Sequence, residues 1–68
     1  MPQYIIDLLI GLVGTGGSST RIAALTALGE GAPATQEVID CLQRATEHGG
    51  ADTRAAAISA LGKLFSKS

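Results

Sequence analysis

The chain has 68 residues, six acidic and five basic, for a net charge of -1. That length allows one small domain, which buries only about 60% of the surface its unfolded chain exposes. The even charge leaves no basic stripe for nucleic acid, and the longest apolar stretch, Ile5 to Val13 interrupted by Asp7, is too short to span a bilayer.

The first helix is expected over about 2–13. Pro2 suits a first helical position, where a missing N–H has no consequence. Ile5, Ile6, Leu8, Leu9 and Leu12 then recur at helical spacing. Gly16-Gly17 ends this segment, since glycine adopts the positive φ that turns a chain after a helix. The second helix is expected over about 19–29, with Ser19 as N-cap and Ile22, Leu25 and Leu28 on an alanine-rich background. Gly29-Glu30-Gly31 breaks it. Pro33 opens the third helix, about 33–47, carrying Val38, Ile39, Cys41, Leu42 and Ala45 on its apolar face. Gly49-Gly50 turns the chain again, and Asp52 caps the fourth helix, about 52–65, with Ile58, Leu61, Leu64 and Phe65. The short connections make each neighbouring pair antiparallel.

Shifting the sequence against itself by 33 positions reveals why the two halves read alike. Residues 3–30 align without a gap on residues 36–63, and thirteen of the twenty-eight pairs are identical. In the first helix of each unit these include Gln3/Gln36, Ile6/Ile39, Asp7/Asp40 and Leu9/Leu42. Across the turn and second helix they include Gly16/Gly49, Thr20/Thr53, Arg21/Arg54, Ala27/Ala60, Leu28/Leu61 and Gly29/Gly62. A period of this length signals stacked supersecondary units, here about 2–31 and 33–65 of a single domain.

The segments from Ser19 to Gly29 and from Asp52 to Gly62, each a polar cap followed by Thr-Arg, Ala-Ala and Ala-Leu-Gly, resemble HEAT-like repeats. The closest likeness is to the subgroup found in phycobilisome lyases and many bacterial scaffold proteins. The resemblance implies an all-α fold, a short α-solenoid of about two HEAT-like helix pairs built from four antiparallel helices. It also implies an interaction scaffold rather than a catalyst, with Arg21, Arg54 and Asp52 packing the repeats together through arginine–carboxylate pairs. The alternative it suggests is a component or relative of a phycobilin lyase handling a tetrapyrrole. The units start with the partner helix, and two is a small number for such an array. The expectation is therefore a fragment of a longer protein or a unit completed by association.

The chemistry-bearing residues are few. Gly14 to Arg21 resembles a phosphate loop but lacks its lysine, and the second copy keeps the glycines while adding acidic residues, so the glycines serve the turn. His48 is expected to sit at a helix C-terminus, where positive charge is favoured. Cys41, the only cysteine, aligns with Leu8 and reads as a core filler; no disulfide is open to it, which fits a reducing, cytoplasmic setting. Asp7 and Asp40 read as solvated. No metal, cofactor, nucleic acid or membrane is expected as a partner.

The sharpest contrast between the copies is that Tyr4, Ile10, Leu12 and Val13 face Glu37, Gln43, Ala45 and Thr46 in the alignment. The apolar arc of the first helix spans roughly 240°, against roughly 160° for the third. Tyr4, Ile10 and Val13 are therefore expected to centre a contact with a protein partner or a second copy in a homodimer. Phe65 is expected to cover an open edge or join a second contact.

Overall fold

A computed structural model describes residues 1–66. Four helices follow one another: α1 (Gln3–Thr15), α2 (Ser18–Gly31), α3 (Gln36–Ala45) and α4 (Ala51–Ser66), with no strand among the described residues. The sequence places all four in the right order. Their ends differ in ways that local chemistry explains.

Pro2 is the N-cap of α1 rather than its first helical residue, and its carbonyl accepts from the N–H groups of Ile5 and Ile6. Pro33 lies ahead of α3, whose N-cap is Thr35. A proline disfavours the helical region for the residue before it, and here the helix begins three residues later. The expected side-chain caps are also displaced, each by two positions. Gly17 and not Ser19 caps α2, with no side-chain hydrogen bond. The Gly50 carbonyl accepts from Arg54 N–H, which places Asp52 inside the first turn of α4. There its charge favours the helix N-terminus through the dipole. A glycine at the cap satisfies the φ/ψ of the turn, and the acidic or hydroxyl residue then falls two positions inward, within the first turn.

The two Gly-Gly turns are built differently. Gly16 and Gly17 are extended, with φ of -81 and -72. Gly49 alone among the described residues has a positive φ, at 93. Gly16 is nevertheless required: a Cβ there would lie 2.6 Å from Thr20 Cγ2 and 2.8 Å from Thr20 Cβ. α3 also stops early, at Ala45, where the Thr46 hydroxyl donates to the Gln43 carbonyl at 2.6 Å and the chain turns toward Gly49.

Cross-helix contacts fix the packing directions. Met1 reaches Gly31 at the far end of α2, and Arg21 at the start of α2 reaches Val13 at the end of α1, so these two helices run antiparallel. Gln3 donates to Glu37 at 2.6 Å, setting the starts of α1 and α3 side by side. Lys63 lies 3.3 Å from Glu30 and Gly29 sits on Ala60, so α2 and α4 are parallel as well. α2 packs most heavily on α4, then come α1 on α2 and α3 on α4, with α1 on α3 lighter.

The core lies between these pairs and is made of small and branched side chains: Leu25, Leu28, Val38, Leu42, Ala57, Ala60 and Leu64 are all buried. Gly29 allows the closest approach, because a Cβ there would meet Ala60 Cα at 2.7 Å and Ala60 Cβ at 2.8 Å. That contact draws the α2 and α4 backbones together. The molecule measures 28 × 23 × 16 Å.

Candidate functional site

The large apolar side chains left exposed fall on two helices. On α1 and just before it they are Met1, Tyr4 and Leu8; on α4 they are Ile58 and Phe65. Tyr4 is 72% exposed and Leu8, one turn later, 56%. Residues four apart share a helix face, so the two form one strip. Ile5 and Leu12, half-buried, flank it. Burying a Leu or Tyr side chain stabilises by about 1.5–3 kcal/mol, so the strip represents considerable unused hydrophobic free energy.

The residues expected to centre a contact do not all meet there. Tyr4 does. Ile10 is half-buried and lines a different surface, the cleft between α1 and α3. Val13 is in the core, its side chain enclosed and its carbonyl taken by Arg21, so it lies off the exposed face. Phe65, 53% exposed, lies on α4 seven residues beyond the exposed Ile58. Leu8 and Ile58, both assigned to apolar core stripes from their spacing, turn out to be exposed.

The arginines also behave differently from the expected carboxylate pairing. Arg21 Nε donates to the Val13 carbonyl at 2.9 Å. That carbonyl is in the last turn of α1, where backbone acceptors lack intrahelical partners and a cation is favoured by the dipole. The same guanidinium rests against Gly49, where a Cβ would come within 2.9 Å of Nη2. Arg21 thus joins the end of α1 to the turn between α3 and α4. Arg54, its repeat equivalent, is exposed, and its guanidinium makes no hydrogen bond or ion pair among the described residues. Asp52 is exposed in the first turn of α4 and meets neither arginine in an ion pair.

Asp7 and Asp40 are both exposed, and each accepts from the glutamine one turn earlier. Gln3 donates to Asp7 at 2.9 Å and Gln36 to Asp40 at 2.7 Å. Repetition of the pair reflects a repeated surface hydrogen bond. Cys41 is buried, and burial raises its thiol pKa above the ordinary value, with Arg44 pulling weakly the other way. A buried protonated thiol is a poor nucleophile.

A cleft of about 310 Å³ opens between the C-terminal halves of α1 and α3. Gly11 and Gly14 leave it open, since neither would meet any atom within 4 Å through a Cβ. Ile10, Val13, Cys41 and Ala45 give it an apolar floor, and Arg21, Arg44 and His48 stand at its edge. His48 lies in the turn three residues beyond the end of α3, exposed. The cationic rim is offset, because Arg21 is held by a carbonyl and Arg44 shares the adjoining depression with Asp40 and Glu47. At the small end of ligand-pocket volumes, the cleft is a weaker candidate than the apolar strips.

Among the described residues no three His, Cys, Asp or Glu side chains gather as a metal site. No helix among them is long and apolar enough to cross a membrane. No family model matches the chain, and no curated protein or solved structure matches it. Its function has to be read from its own surfaces.

Proposed function

We propose that this chain is a non-catalytic protein-interaction module, a short α-solenoid of two HEAT-like helix pairs that self-associates through the apolar face of α1. The observation that carries this reading is the strip of Tyr4 and Leu8, both more than half exposed and one helical turn apart, with Met1 beside it. Contiguous exposed apolar surface marks interaction sites on small proteins. The parallel pairing of α1 with α3 and α2 with α4 supports the stacked-unit reading. So do the two cross-helix bonds, Gln3 to Glu37 and Lys63 to Glu30, which span 34 and 33 residues, about one repeat period. The unpaired Cys41 favours a cytoplasmic setting.

Binding through such a face depends on buried area and little on salt. The test is sedimentation equilibrium of the wild type against Tyr4→Ser/Leu8→Ser, with circular dichroism to confirm helix content. Loss of association in a folded variant supports the reading. Unchanged association, or a wild type that is monomeric at every concentration, rules out self-association through α1.

A further inference from the structure

The internal repeat shows what should cover the exposed faces, because it supplies a worked example of each contact inside the molecule. Position by position, burial switches between the copies. Leu8 is 56% exposed, whereas Cys41, its equivalent, is 3%. Thr20 is exposed and Thr53 buried, and Ile5 is half-buried where Val38 is fully enclosed. Of these second-copy residues, Cys41 lines the cleft that α3 forms with α1 and so faces unit one. On the other side the switch runs backwards. Leu25 is 0% exposed and Ile58 62%; Ala32 is buried and Phe65 53% exposed. Gly29 is pressed against Ala60, while Gly62 has nothing within 4 Å of where its Cβ would lie.

The first face therefore has the composition of the surface unit two presents to unit one, and the second that of the surface unit one presents to unit two. They are the two halves of one interface. It is already formed once within the chain.

We propose that this face of α4 and α2's open side, together with α1, bind each other between copies, so that chains stack head to tail in the register of the internal α2–α4 contact. This rests on the interaction-module reading and adds its partner and its geometry. In that register Gly62 of one copy meets Ala27 of the next, as Gly29 meets Ala60 within the chain, and both residue types are the same in the two units. Ile58 takes the place of Leu25, and Leu61 that of Leu28.

Charge is also complementary. Within the chain Glu30 pairs with Lys63. One repeat further on, Lys63 occupies the position of Glu30, and the residue brought opposite it is Glu30 of the next copy. The pair re-forms with its signs exchanged. Since the two faces differ, the contact is heterologous and does not close on itself after two subunits; growth continues unless rotation closes a ring.

Two variants that keep the internal core intact test this. Leu8→Glu blocks the first face and Ile58→Glu the second, and both side chains are more than half exposed. By sedimentation equilibrium the wild type is expected to grow past a dimer with concentration, and each variant alone to remain monomeric. Mixed in equal amounts, the variants still own one good face each, and the average mass is expected to rise about twofold to a capped pair. Gly62→Ala, at an open position, serves as a second block should either charge disturb folding, with circular dichroism as the check.

A wild type that stops at a dimer, with Ile58→Glu still dimeric, overturns the head-to-tail arrangement and leaves self-association through α1 standing. A mixture that stays monomeric also overturns it. A folded wild type that is monomeric throughout sinks both readings.

Discussion

Gly29 and Gly62 are the same residue in the same register of two copies of one sequence, yet their surroundings have nothing in common. The first is wedged onto the Ala60 backbone; the second faces open space. Arg21 and Arg54 differ likewise, the guanidinium of one tied to the end of α1 and that of the other without a hydrogen-bond partner among the described residues. A repeat fixes what each residue is, while its place in the stack fixes what the residue touches. Equivalent substitutions in the two units should therefore have unequal consequences.

The largest separation is expected between Leu25→Ala and Ile58→Ala. Removing a fully buried leucine side chain costs about 2–5 kcal/mol, a large share of the stability of so small a domain. The exposed Ile58 is expected to change monomer stability by less than about 0.5 kcal/mol. Urea denaturation at low protein concentration, where copies are apart, reads both. Equal losses would show that Ile58 is packed.

Next comes the glycine pair. Gly29→Ala forces a methyl group onto the Ala60 backbone and is expected to destabilise by about 1–3 kcal/mol. Gly62→Ala adds a methyl group into free space within a helix and is expected to stabilise the monomer by up to about 1 kcal/mol. The effects have opposite signs, so thermal melts of the two variants break the comparison if they shift the same way.

Arg21→Ala removes the donor to the Val13 carbonyl at a partly buried site, with an expected loss of about 1–2 kcal/mol, whereas Arg54→Ala is expected to fall within about 0.5 kcal/mol of the wild type. Thermal denaturation of both variants side by side measures the gap. The smallest effect belongs to Lys63 and Glu30, whose side chains are about half exposed. A double-mutant cycle is expected to give a coupling of at most about 0.5 kcal/mol, shrinking further in high salt.

These pairs also show what the sequence discloses and what it withholds. Helix number, order and turn positions are legible, because apolar spacing, prolines and Gly-Gly pairs act locally. The buried stripe of α3 is read correctly through Val38, Cys41 and Leu42. Leu8 and Ile58 are misassigned, since periodicity identifies an apolar face but not whether a neighbour lies against it. Comparing Leu8 with Cys41 across the repeat holds the missing signal: the residue turned toward a neighbour inside the chain marks where the other copy lacks one. Arg21 was expected to find a carboxylate. A backbone carbonyl left over at a helix end is an equally good acceptor, and no side-chain pattern announces it. Val13 was drawn to the surface by the width of the apolar arc on α1, which in fact wraps toward both α2 and α3.

The unequal packing also dictates an order of assembly. α1 with α2, and α3 with α4, are joined by tight turns and come together at little entropic cost of loop closure. The α2–α4 contact joins segments about one repeat apart and carries the heaviest packing, so the docking of the two helix hairpins on each other is expected to be the decisive event in folding. A helical topology with such short separations folds within about microseconds to milliseconds. Because Gly29 is what lets those hairpins seat, a methyl group there is expected to act on the speed of docking as well as on its outcome.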